Sequence, residues 1–139
     1  MTTSYRQIKW LWDRAVDFET AYRALPETPP PSWPRYFLLS HAIELALKSF
    51  LAAHGKRASD LKDLGHDLKK LVKEAVNRGL VLEPRTREDI ELLSNAHTRH
   101  WARYPKEDGE PVIVIEAFET SASELFQRVR AAIFPPVAS

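Results

Sequence analysis

Cysteine is absent from this chain. That excludes disulfides, thiolate metal sites and a cysteine nucleophile, and it fits a reducing compartment. Glycine is scarce, at 4 in 139 residues. The sequence therefore holds no glycine-rich phosphate loop of the P-loop or dinucleotide-binding kind. Strand-turn signals are few for the same reason, which favours helices. No uninterrupted apolar run approaches the ~18 residues of a membrane span. The first residues, Met1 to Arg6, lack the apolar stretch of a signal peptide. A cytoplasmic protein without membrane contact is the expectation. Net charge is also nearly absent: the formal value is +1. The molecule is not a polycation, so any nucleic-acid surface must be a local patch.

What is present is helical periodicity in a chain long enough for one domain with a real core, read as residues 1–139. Pro34 to Gly55 reads as one long helix. Leu39, Ile43, Ala46, Leu47, Phe50 and Leu51 recur at helical spacing, and Phe37, Leu38, Leu45 and Ala53 add apolar surface off that stripe. A helix apolar on several sides is covered on several sides. Ser32 is a suitable N-cap for it, and Gly55 a suitable stop. Glu44 and Lys48 stand four apart in the favourable order, worth ~0.3–0.5 kcal/mol on an exposed face.

Before this helix, Ser4 and Gln7 have capping-box spacing, and Ile8, Leu11, Ala15, Phe18, Tyr22 and Leu25 mark a first helix ending before Pro26. Ser59–Gly65 reads as a short helical turn. His66–Gly79 reads as a helix with Leu68, Leu71, Val72, Ala75 and Val76 inward. Pro84 opens a further helix along Ile90, Leu93, Ala96 or His97, and Trp101. Val112–Ile115 is a β-branched run, extended or leading into the last helix. That helix starts either near Ala117 or at a second capping-box spacing, Ser121 to Glu124. The expected fold is all-α: an up-and-down bundle of about four to five helices.

The candidate working surface is the stretch from His97 to Lys106. It holds His97, Arg99, His100, Arg103 and Lys106 with no acid, interleaved with Trp101 and Tyr104. Arg and Lys pair with phosphates, and aromatic rings stack on bases. The plainer reading is a helix C-terminus, where cations oppose the dipole for ~0.3–1 kcal/mol. His97 and His100 alone make a weak metal pair, with no third ligand at fixed spacing, so no metal is assigned. His41 reads as a hydrogen-bonded core residue, and His66 as a local cap or core contact. Ser40 and Ser121 lack a nucleophile elbow. Asp60, Asp63 and Asp67 lie among six Lys or Arg and read as a solvated face.

Three segments in order resemble the HEPN domain family (higher-eukaryote and prokaryote nucleotide-binding). Glu44-Leu45-Ala46-Leu47-Lys48 is similar to the family's Glu-Leu-x-Leu-Lys helix. Gly65-His66-Asp67-Leu68 is similar to its Gly-His-Asp-Leu helix start. Arg103-Tyr104-Pro105 is similar to the Arg-Tyr-Pro that follows its fourth helix. The likeness covers roughly residues 5–134. It implies a helical bundle, commonly a homodimer, in prokaryotic defence or toxin–antitoxin settings. Many members are metal-independent RNases, whose signature is Arg, four to six residues, then His. Such motifs meet across a dimer, with His moving a proton and Arg neutralising phosphate charge.

This chain departs from that signature. Arg99 and His100 are adjacent, and Arg35 and His41 have the spacing in the wrong helix, which reads as a chance match. The resemblance to the Arg-Tyr-Pro subgroup implies a nucleotide- or RNA-binding module, without a cofactor and with no catalytic residue assigned. The alternatives are an RNase built on His97 or His100 with Arg99 or Arg103, and a partner subunit of a nucleotidyltransferase or antitoxin.

Overall fold

The computed structural model describes residues 4–26, 33–98 and 114–135, with residues 96–98 described by their backbone. Six α-helices and one 3-10 turn make up the described residues: α1 Tyr5–Ala24, α2 Trp33–Ala53, α3 Ala58–Leu64, α4 Leu68–Asn77, α5 Pro84–Thr98, a 3-10 turn Ile115–Phe118, and α6 Glu119–Ile133. The bundle is all-α, as its periodicity requires. It holds one helix more than about five because the short turn after Gly55 is a helix in its own right, α3.

α2 is the axis of the bundle. Fourteen of its 21 residues are buried, and the six stripe residues from Leu39 to Leu51 are at most 1% exposed. By length and composition α2 could cross a membrane, yet 72% of its most apolar window is covered by the other helices. α1 lies along one side of it and buries Trp12, Ala15 and Tyr22. α4 lies along another and buries Leu68, Leu71, Val72 and Ala75. α6 closes the core with Leu125 and Val129, and Phe126 packs 5.5 Å from the Trp12 ring.

The ends of the helices follow local chemistry. Ser4 and Gln7 form the reciprocal capping box at the start of α1. Two glycines close helices in the left-handed conformation: Gly55 at φ 96° and Gly79 at φ 103°. In each case the next amide reaches back into the last turn, Lys56 to the Leu51 carbonyl at 2.9 Å and Leu80 to the Ala75 carbonyl at 3.0 Å. These are Schellman closures, which need a residue without a Cβ penalty at positive φ.

α3 returns the chain, so α2 and α4 run in the same direction. Glu44 meets His66 near the start of α4, while the His54 carbonyl and Lys56 meet Arg78 and Glu74 near its end. α5 then runs back antiparallel to α4, since Ser94 meets Asp67 and Lys69. The expected capping box at Ser121 does not form. α6 begins at Glu119, Ser121 lies inside it, and its hydroxyl donates to Asp89 at 2.6 Å. The expected N-cap at Ser32 lies outside the described residues.

Candidate functional site at one end of the bundle

The last turn of α1 and the first turns of α2 and α6 meet around Arg35, the end of α5 reaches the first turn of α2, and the start of α4 meets α2 at its middle, at Glu44. Their polar side chains are organised around two buried charges on α2.

The first is Arg35, 4% exposed. Its guanidinium pairs with Glu116, approaches Glu119 at 3.6 Å, and lies 4.4 Å over the Tyr22 ring. The Tyr22 hydroxyl donates to Glu119 at 2.7 Å, and burial together with that carboxylate holds its ionisation above the usual phenol range. This cluster ties α1, α2, the 3-10 turn and α6 together. It also disposes of the Arg35–His41 spacing. Six residues at ~100° each put the two side chains about 120° apart around α2. Arg35 is engaged by carboxylates, whereas the partly exposed His41 stands edge-on to Phe18 at 4.5 Å. They form no joint site.

The second charge is Glu44, 1% exposed. His66 Nδ1 lies 2.9 and 3.0 Å from its two oxygens, and Lys48 Nζ donates at 3.0 Å. His41 Nδ1 stands 3.9 Å away, an electrostatic neighbour rather than a hydrogen bond. Burial opposes the ionisation of Glu44, but His41, Lys48 and His66 outweigh it and hold the carboxyl down at about 2. An ionised carboxylate accepts only, so His66 carries its proton on Nδ1 toward Glu44. The rest of its ring faces outward, its side chain being 72% exposed. His66 is thus neither a cap nor a core residue. The cap of α4 is Asp67, which accepts from the Lys70 amide.

Sequence reading paired Glu44 with Lys48 at helical spacing, with a value only for an exposed face, and left His66 apart from it. Their signal was nonetheless present, because they belong to two of the three family-like segments, and the fold brings those two segments into contact.

The third segment, Arg103-Tyr104-Pro105, lies outside the described residues, and α5 is the described helix that precedes it. The Tyr36 hydroxyl donates to the Leu93 carbonyl, and Ser94 accepts from the Lys69 amide and donates to Asp67. The end of α5 therefore lies beside the first turn of α2 and the start of α4. His97 falls in that last turn, described by its backbone alone. Arg99, His100, Trp101, Arg103, Tyr104 and Lys106 lie outside the described residues. Among the described residues no group of three or more His, Asp or Glu is arranged to hold a metal.

Comparison with curated proteins and with solved structures finds no match. The family described as HEPN domain does match, over residues 9–133. With that span covering nearly all of the helical bundle, the chain belongs to the HEPN domain family.

Proposed function

We propose that this HEPN domain is a nucleotide- or RNA-binding module that works as a homodimer. His97, Arg99, His100, Arg103 and Lys106 contact phosphates, and Trp101 or Tyr104 stacks on a base. The observation that carries this reading is the course of α5. Its last turn is bonded to the start of α4, where His66, Lys69 and Lys70 are exposed. The backbone of His97, where the cationic stretch begins, thus lies at the end of α5 that is bonded to the start of α4, beside the exposed Lys69 and Lys70. A defence or toxin–antitoxin setting, with a nucleotidyltransferase or antitoxin as partner, accords with the family rather than with the geometry.

Binding of a fluorescent single-stranded RNA, titrated across salt concentrations, tests the reading. Arg99→Ala/Arg103→Ala should weaken binding at least tenfold at low salt. It should also reduce the salt slope by roughly 1.4, at ~0.7 for each lost phosphate contact. Unchanged binding by the double variant rejects it.

One observation favours a second, catalytic reading: His66 is an exposed imidazole backed by a buried carboxylate, the arrangement that orients a proton carrier. The same RNA, incubated with the protein in EDTA and resolved on a gel, decides between them. Cleavage that is lost in His66→Gln while binding persists selects catalysis. Intact RNA selects binding alone.

A further inference from the structure

A cleft of about 330 Å³ opens between α1 and α3, with α2 beneath it. That volume is near the lower end of the ~300–1,000 Å³ of small-molecule sites. Its apolar lining comes from Trp10 and Leu11 of α1, Leu45 of α2, and Ala58 and Leu61 of α3. Trp10 is 57% exposed, while Leu45 and Leu61 are nearly covered and show only an edge to the cleft. A ligand body laid across these groups would remove apolar surface from water at ~25 cal/mol per Å².

The polar lining is Gln7, Lys48 and Lys62. Each shares a helix face with an apolar member: Gln7 stands three residues before Trp10, Lys48 three after Leu45, and Lys62 four after Ala58. All three offer donors. Gln7 spends its carbonyl oxygen on the Ser4 amide at 3.0 Å, which leaves its own N–H groups. Lys48 is committed to Glu44, with Nζ 3.0 Å from the carboxylate and a side chain 13% exposed. Lys62 is exposed and, among the described residues, pairs with no carboxylate. No Asp or Glu of the described residues lines the cleft. One uncompensated positive charge therefore borders an apolar hollow.

We infer that this cleft binds a small free carboxylate with an apolar body. The body lies on Trp10, Leu11, Leu45 and Leu61, and the carboxylate pairs with Lys62 and accepts from Gln7. Charge balance selects the class. A carboxylate brings one negative charge to one unpaired ammonium. A phosphate monoester brings about −1.5 to −2, more than Lys62 alone neutralises. A neutral apolar molecule leaves the Lys62 charge unanswered at the edge of a desolvated cleft. His66, Lys69 and Lys70 lie outside the lining, so carboxylate binding here and RNA binding there stand or fall separately.

Titration of the isotope-labelled full chain with octanoate, kept below its micelle concentration and followed by amide and indole N–H correlation spectra, tests this. Octanoate should move the Trp10 indole signal and the Leu45 and Leu61 amides to saturation. Octanol, with the same body and no charge, should bind roughly tenfold more weakly, the worth of one hydrogen bond to a charged group. Lys62→Glu should weaken octanoate binding by at least that factor. Lys73→Glu, the same charge change at an exposed residue of α4, should leave it within twofold. Ala58→Phe, also at an exposed residue, should fill the cleft and abolish the shifts, with the remaining spectrum showing the fold intact. Inorganic phosphate should move none of these signals. Absence of saturable shifts with octanoate overturns the site, as do shifts that survive Ala58→Phe. Equal affinity for octanol, or no loss in Lys62→Glu, overturns the carboxylate as ligand. Phosphate moving the same signals would reveal a plain cationic patch and overturn it too.

Discussion

At the scale of single residues, Glu44 concentrates the chemistry of the molecule. A carboxylate 1% exposed is costly unless it is paired, and here it is paired twice by hydrogen bonds. Its carboxyl sits at about 2, against an ordinary 4.5. A depressed folded value means stability that is present above the unfolded value and lost as the pH falls through the folded one. The window is therefore pH 4.5 down to about 2, and the contribution is about 3 kcal/mol. Glu44→Gln should lower stability in urea by roughly 1–3 kcal/mol at pH 7. Between pH 4.5 and 2.5 the variant should lose stability less steeply than the wild type, and parallel pH profiles would show that Glu44 is not the group responsible. The spacing of Glu44 and Lys48 was plain from the sequence. Which side of α2 they occupy was not, because a helix apolar on nearly every side gives periodicity no contrast with which to orient a polar pair.

At the scale of elements, α5 and α6 are held together by side chains that cap and cross-link them. The Glu124 carboxylate accepts from the Glu83 amide at 2.7 Å and from the Thr86 hydroxyl at 3.0 Å. It thus satisfies the start of α5 from a neighbouring helix, while Ser121 and Asp89 join the pair further along. Glu124→Ala should cost about 1–2 kcal/mol. Hydrogen exchange should show faster loss of protection in the first turn of α5 than in α4. Equal effects on both helices would mean that Glu124 acts on the whole fold. The sequence placed Glu124 correctly beside a helix N-terminus but assigned it to the wrong one. Spacing along the chain identifies a carboxylate three residues after a serine, and the same carboxylate serves a helix brought alongside by folding equally well. By contrast, the caps made within one turn, Ser4 with Gln7 and the glycines at 55 and 79, were legible because both partners are local.

At the scale of the whole molecule, the all-α architecture and the dominance of α2 followed from periodicity alone, since Leu39 through Leu51 left no alternative to a covered helix. The working end was legible only in part. Two family-like segments meet at Glu44 and His66, a contact between residues 22 positions apart that no local pattern reveals. The third segment, Arg103-Tyr104-Pro105, and the candidate site residues from Arg99 to Lys106 lie outside the described residues. Leu47, fully buried midway along α2, tests the core directly. Leu47→Ala should lower stability by about 2–5 kcal/mol in urea denaturation, and a loss below 1 kcal/mol would show a core that collapses around the gap.

The near-complete wrapping of α2 carries a last consequence, for how the molecule comes apart. An axle whose covering helices come from both ends of the chain leaves no separable piece with a finished interior. Peeling α1 away bares one flank of α2, and losing α6 bares another. Either loss removes buried surface that offsets the entropy of keeping the rest ordered. Assembly and disassembly are therefore a single concerted event, with the first and last helices arriving and departing together.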